Sequence, residues 1–329
     1  VYRSVLVPLD GSAFGEHALP LALSLVRRQG AALQVVHAHV PSAGVYGELG
    51  ASYDETLDRE LMERERAYLD AVVKRLAAVA QVPLSAALLD GPAADAIVRH
   101  AATTGADLLV MTTHGRGPLA RFWFGSVADA LVRQLPIPVL FVRPGETVPD
   151  LAEEPVVRRV LIPLDGSTLA EQVLEPALAF SSGTQVEYTL LRVVEQLTPA
   201  SYDPASTRMS GLSESLLEQL QELDRQESAR ARDYLERFAE RFRARSLVVQ
   251  TRVISHQQPA TAILQDDSIR GVDLIALATH GRGGLKRLLL GSVADKVLRG
   301  AATPVLVYRP VGNSAPAAFV PEEHPPRPS

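Results

Sequence analysis

Val5-Leu-Val-Pro-Leu-Asp-Gly-Ser12 is written a second time as Val160-Leu-Ile-Pro-Leu-Asp-Gly-Ser167, at an offset of 155. Each copy is a short aliphatic run of strand length that ends in an acid, a glycine and a hydroxyl. Working outward, a longer repeat runs from Thr113-His-Gly-Arg-Gly-Pro-Leu-Ala-Arg-Phe-Trp-Phe-Gly-Ser-Val-Ala-Asp129 to Thr279-His-Gly-Arg-Gly-Gly-Leu-Lys-Arg-Leu-Leu-Leu-Gly-Ser-Val-Ala-Asp295, at an offset of 166. Ile137-Pro-Val-Leu-Phe-Val-Arg-Pro144 and Thr303-Pro-Val-Leu-Val-Tyr-Arg-Pro310 close the two units at that same offset. The difference of 11 residues is an insertion in the middle of the second copy. A period this long means duplicated domains rather than a solenoid of small repeats.

Inside each unit, short β-branched runs alternate with helical stretches. Val5–Leu9, Leu33–Ala38, Val82–Leu89, Asp107–Met111 and Val139–Val142 read as strands, with counterparts at Val160–Leu164, Gln185–Val193, Leu247–Ile254, Asp273–Leu277 and Val305–Tyr308. Between the second and third strands, Leu57, Leu61, Tyr68, Leu69, Val72, Val73 and Leu76 recur at helical steps, as do Leu216, Leu217, Leu220, Leu223, Tyr234, Leu235, Phe238 and Phe242. Strands joined through helices need right-handed crossovers and a parallel sheet covered on both faces. The expectation is therefore α/β, with two tandem doubly wound five-stranded parallel-sheet domains. Residues 1–144 form the first domain and 157–311 the second; the acidic, Pro-containing stretch 145–156 is a linker, and the Pro- and Ala-rich 312–329 a disordered tail.

Composition narrows the function classes. The chain of 329 residues has 33 basic and 38 acidic side chains, a net charge of −5 that argues against a nucleic-acid partner. The absence of cysteine removes disulfides, iron–sulfur clusters, thiolate zinc sites and cysteine nucleophiles. No apolar run approaches the roughly 18 residues of a membrane span, and no signal-peptide pattern opens the chain, so a cytoplasmic location without membrane contact is expected.

In open parallel sheets ligands collect at the carboxyl ends of the strands. Asp10 and Asp165 stand there, followed by Ser12 and Ser167, which suit helix caps. A strand-end carboxylate has two readings, helix-capping partner or acceptor for a sugar or base. Gly115-Arg116-Gly117 with Gly125-Ser126, and Gly281-Arg282-Gly283 with Gly291-Ser292, place backbone N–H groups ahead of a helix amino end, which favours a polyphosphate. Pro118 removes one donor where the second copy has Gly283-Gly284, so the second half is expected to bind better. His37 and His39 share a strand face, but no matching carboxylate is evident and Arg192 and Val194 replace them, so no metal site is expected. His114 and His280 sit beside the Gly-rich turn, where an imidazole bonds backbone. Neither a G-x-S-x-G elbow nor a Walker A lysine is present, and no activated nucleophile is seen. Catalysis is expected to be absent or slow, at most a slow ATPase. The loops Pro41–Tyr53 and Glu195–Gly211 leave the sheet on the ligand side, as lids or as uninvolved surface loops.

Both halves resemble the universal stress protein family. The likeness rests on the strand-one Asp and on a loop close to G-x2-G-x9-G-[S/T]: Gly115, nine residues, Gly125 and Ser126, and again Gly281, nine residues, Gly291 and Ser292. The leading Gly is replaced by Thr112 and Ala278. The resemblance implies a Rossmann-like, adenine nucleotide alpha hydrolase-like fold. It also implies ATP binding, with Mg²⁺ or nearby arginines for neutralisation. Asp10 and Asp165 would hold the adenosine, and Ala38 and Val193 would meet the adenine. Gly115, Arg116, Gly117, Gly125, Ser126 and Val127, with Gly281, Arg282, Gly283, Gly291, Ser292 and Val293, would take the phosphates. The function so implied is that of a nucleotide-dependent stress-response regulator; a module of the same fold acting through its surfaces, or a slow ATP hydrolase, are the alternatives. The family also pairs through edge strands, which implies that Val139–Val142 and Val305–Tyr308 join the halves as a pseudo-two-fold dimer; a further homodimer of whole chains is left open.

Overall fold

The computed structural model describes residues 1–41, 55–113, 125–182, 185–195, 214–279 and 291–310. The first unit runs β1 (Ser4–Leu9), a 3₁₀ turn (Gly15–Ala18), α1 (Leu19–Gln29), β2 (Ala32–His39), α2 (Glu55–Ala77), β3 (Leu84–Asp90), α3 (Ala93–Thr104), β4 (Leu108–Thr112), α4 (Ser126–Gln134) and β5 (Val139–Val142). The second repeats the order as β6 (Arg159–Pro163), α5 (Leu174–Leu178), β7 (Glu187–Val194), α6 (Glu214–Ala244), β8 (Val248–Ser255), α7 (Pro259–Arg270), β9 (Leu274–Ala278), α8 (Ser292–Gly300) and β10 (Val305–Tyr308). Every expected strand is present within two residues of its expected limits.

All ten strands form one sheet, in the order β3-β2-β1-β4-β5-β10-β9-β6-β7-β8. Within each half the pairing is parallel; the halves meet where β5 and β10 run antiparallel, with Leu306 opposite Leu140 and Val305 opposite Phe141. Each half alone would leave this strand as an open edge; joining them covers both edges with one ladder. Side chains alternate along the strands and so build two apolar layers. Val5, Val7 and Leu9 enter one layer, with Leu69, Val72 and Leu76 of α2, while Leu6 enters the other, with Ile97 of α3 and Leu131 of α4. Helix α1 buries every residue from Leu19 to Val26, which explains its near-continuous apolar sequence. It ends at Gly30, and α3 and α7 end at Gly105 and Gly271, all three in the left-handed conformation that glycine adopts without steric cost.

The linker is part of the packed structure. Ser24 Oγ donates to the Pro155 carbonyl at 2.6 Å, Arg27 pairs with Glu154 at 2.9 Å, and Thr147 O lies 2.7 Å from His17 Nε2. Across the halves, Tyr2 Oη donates to Pro176 O at 2.8 Å, with its ring edge-on to Phe180, and Gln29 Nε2 donates to Ala179 O at 2.9 Å. The expected tail, 312–329, lies outside the described residues. Among the described residues no helix is long and apolar enough to cross a membrane.

Candidate functional site

The strand order reverses between β1 and β4, so the chain departs in opposite directions from the carboxyl ends of these neighbours and leaves a crevice. A cleft of about 520 Å³ lies there, lined by Asp10, Gly15, His37, Ala38, Val40, Glu65, Ala93, Ile97, Met111, Thr112, Gly125, Ser126 and Val127 among others. The corresponding position in the second half, between β6 and β9, holds a smaller cleft of about 190 Å³, lined by Asp165, Ala170, Leu191, Val193, Ile263, Ala278, Gly291, Ser292 and Val293 among others. Asp10, Ala38, Gly125, Ser126 and Val127 thus converge on one cleft, and Asp165, Val193, Gly291, Ser292 and Val293 on the other. Gly115, Arg116, Gly117, Gly281, Arg282 and Gly283 lie outside the described residues, as do His114, His280 and nearly all of both lid segments.

The strand-one acid is held the same way in both halves. Asp10 Oδ1 accepts from Ser12 N–H at 3.0 Å and from Ser12 Oγ at 2.6 Å, while Ser12 Oγ accepts from Gly15 N–H at 3.2 Å. Asp165 Oδ1 accepts from Ser167 N–H at 2.9 Å and Ser167 Oγ at 2.6 Å, and Ser167 Oγ accepts from Ala170 N–H at 3.1 Å. The two readings of the acid are compatible: one carboxylate oxygen organises the turn while the side chain borders the cleft. A Cβ on Gly15 would sit 2.6 Å from Asp10 Oδ1, so a side chain there would require this turn to shift. The second half has Ala170 there.

Ser126 and Ser292 are the first residues of α4 and α8, not their caps. Gly125 and Gly291 occupy the cap positions, and neither helix has a side-chain cap. The amino ends of both helices border their clefts, with N–H groups suited to an anion.

One sequence expectation needs correction, and another, that the second half binds better, rests on Pro118, Gly283 and Gly284, which lie outside the described residues. Of the two clefts the first is the roomier, although Thr112 stands where the second has only Ala278. The second is filled by Val193 for Ala38, Ala170 for Gly15 and a largely aliphatic wall, while Arg192 Nη1 reaches back to donate to Leu164 O at 3.3 Å. The correction concerns His37 and His39: α2 brings Glu65 and Asp58 against them. His39 Nδ1 donates to Glu65 Oε2 at 2.6 Å, and its Nε2 faces Asp58 Oδ2 at 3.5 Å. Burial lowers the pKa of His39, but the hydrogen bond and charge of Glu65, and those of Asp58, outweigh it and raise the value above that of a free imidazole. His37 Nδ1 bonds Leu9 O at 2.8 Å, and its Nε2 lies 3.6 Å from Glu65 Oε1. Among the described residues no group of three or more His, Asp or Glu converges as metal ligands.

Glu65 is therefore a cleft residue that the sequence reading missed. Its signal was an acid on the apolar stripe of α2, one turn after Leu61 and one turn before Leu69, where solvation alone does not explain it. The same stripe carries Tyr68, which donates to Glu16 Oε1 at 3.1 Å; Tyr234 on α6 repeats that bond to Glu171 Oε1 at 3.1 Å. Burial, and then the charges of Glu16 and Glu171, push both phenols above the usual tyrosine range. Asp107 and Asp273 are likewise equivalent, each receiving two backbone N–H groups at the start of β1 or β6. The scaffold of the repeat is thus kept in both halves, while the cleft walls have diverged.

The description "Universal stress protein family" belongs to a family model that matches residues 1–143 and 157–309. Universal stress protein Rv2005c of Mycobacterium tuberculosis is 34% identical over 205 residues, covering 62% of this chain and 62% of the relative. A universal stress protein of Thermus aquaticus is 35% identical over 144 residues, covering 44% of this chain and all of the relative (100%). In three dimensions a universal stress protein from Archaeoglobus fulgidus superposes with a TM-score of 0.65 over 93% of this chain and 96% of that one, at 20% identity, a likeness of fold. With two matched segments that together take in most of its length, this chain belongs to the universal stress protein family and carries two such domains in tandem.

Proposed function

We propose that the chain binds an adenine nucleotide, ATP, in its first cleft and acts as a nucleotide-dependent regulator in a stress response. The observation that carries this reading is the meeting of a strand-end carboxylate, Asp10, and the uncapped amino end of α4 on one cleft of about 520 Å³. That volume is within the range of small-molecule sites. Ala38, Ile97, Met111 and Val127 offer an apolar wall for a base, Asp10 an acceptor for ribose hydroxyls, and Gly125, Ser126 and the first turn of α4 donors for phosphate. The Gly115-Arg116-Gly117 segment would add donors and positive charge, with Mg²⁺ supplying the remainder.

The second cleft favours a different role for its half. At about 190 Å³ and with an aliphatic wall it suits a structural partner that completes the sheet. Calorimetric titration of the intact chain with Mg-ATP tests both points. One equivalent is expected to bind, with loss of binding in Asp10→Ala and retention in Asp165→Ala. Absence of heat at millimolar Mg-ATP would overturn the reading; loss in Asp165→Ala alone would reverse the assignment of the halves.

A further inference from the structure

The two clefts differ in charge and polarity at one corner. In the first, β2 and α2 contribute His37 and Glu65 to the wall. At the equivalent positions of the second, the residues are Arg192 and Ala231, and Ala231 is buried. The corner has a definite hydrogen-bonding polarity. Leu9 O can only accept, so the His37 nitrogen 2.8 Å away, Nδ1, carries the proton. In the neutral ring Nε2 then presents a lone pair. Glu65 Oε2 is occupied by His39 Nδ1–H at 2.6 Å, which fixes the carboxylate and turns Oε1 toward His37 Nε2. The two acceptors stand 3.6 Å apart, too far for a bond to each other. An acceptor pair of this kind is satisfied by a group that brings two hydrogens.

Resting on the nucleotide reading above, we propose that His37 Nε2 and Glu65 Oε1 are a specificity device that selects a base bearing an exocyclic amino group over one bearing an oxo group. The apolar wall of Ala38, Ile97 and Met111 and the acceptor corner line the same cleft, and the proposal requires a flat ring held against that wall to turn an edge toward Glu65. An amino group donates one hydrogen to each acceptor. An oxo group there sets a third lone pair against two others, and the cleft's polar atoms go unpaired, the condition under which binding sites discriminate strongly. His39 acts as a positioning residue: buried behind Glu65, between it and Asp58, it holds the carboxylate rotamer. A divalent cation is the weaker occupant, because no third ligand converges among the described residues.

The test compares ATP with ITP, which keeps the ribose and triphosphate and exchanges amino for oxo, by calorimetry on the intact chain. ATP is expected to bind at least about tenfold more tightly. In Glu65→Gln the amide oxygen can still receive His39 Nδ1–H while its N–H₂ turns to His37 Nε2, satisfying the corner internally. The ATP/ITP ratio is expected to fall to within about threefold of unity, with no loss of thermal stability at alkaline pH, where the ion pair of His39 with Glu65 no longer contributes. His37→Leu, which removes one acceptor at similar volume, gives the same direction, and its far-ultraviolet circular dichroism checks the fold. A 2′,3′-dideoxy-ATP arm separates the sources of the donor. If Glu65→Gln weakens ATP but leaves dideoxy-ATP untouched, the donor is a ribose hydroxyl and the proposal is overturned. Equal affinity of the wild type for ATP and ITP overturns this inference alone, whereas binding of neither overturns the nucleotide reading beneath it.

Discussion

At the scale of single residues, the buried His39 links the stability of the fold to pH. Its pKa in the folded chain is raised by Glu65 and Asp58 against the effect of burial, while in the unfolded chain it returns to roughly 6.5. The ion pairs therefore stabilise fully below about pH 6.5 and their contribution is lost as pH rises through the raised folded value. His39→Gln is expected to lower the thermal midpoint more at pH 6 than at pH 9; a gap that stays constant or widens toward alkaline pH would refute this account. Glu16 is another buried charge. It is met by Tyr68 and by Arg75 Nη2 at 2.8 Å, and so costs less than an isolated carboxylate would. The sequence displayed these residues without their partners. His37 and His39 were visible as a pair on one strand face, but the carboxylates that meet them stand on a helix more than fifteen residues further along.

At the scale of elements, the helices are bounded by local chemistry that can be tested one position at a time. Gly105 ends α3 at φ +66°, and a Cβ there would meet nothing within 4 Å. Gly105→Ala therefore isolates the left-handed strain from any clash and is expected to cost about 1–2 kcal/mol. Urea unfolding should show this as a lower midpoint at unchanged slope; a neutral result would mean that the backbone relaxes out of the left-handed region. Helix α2 is placed by its apolar stripe, since Leu69, Val72 and Leu76 are buried against the sheet, and the placement carries Glu65 to the cleft. The elements were legible because periodicity, a glycine stop and strand length are local signals. The capping role expected of Ser12 and Ser167 is present, and at α4 and α8 the glycine one residue before the serine holds the cap position.

At the scale of the molecule, one antiparallel ladder makes two domains into a single ten-stranded sheet. Val139-Leu-Phe-Val142 and Val305-Leu-Val-Tyr308 are near-copies, so the junction is close to self-complementary. A fragment comprising residues 1–144 is expected to pair with itself through β5 and to run as a dimer in light scattering, because its edge is left open. A strictly monomeric fragment would show that the linker contacts, not the ladder, hold the halves together. Those contacts, from Ser24 and Arg27 to Pro155 and Glu154, tie α1 to the segment joining the domains.

The repeat, the strand and helix order, the parallel class of sheet and the two strand-end acids followed from the sequence alone, because identity at a fixed offset and local periodicity survive without knowledge of neighbours. Tertiary structure decided which cleft is spacious and what its walls offer a ligand. Cleft size depends on side chains from strands and helices distant in sequence, Gly15 against Ala170, Ala38 against Val193, Glu65 against Ala231, and these substitutions acquire meaning only when the crossover connections bring them to one corner.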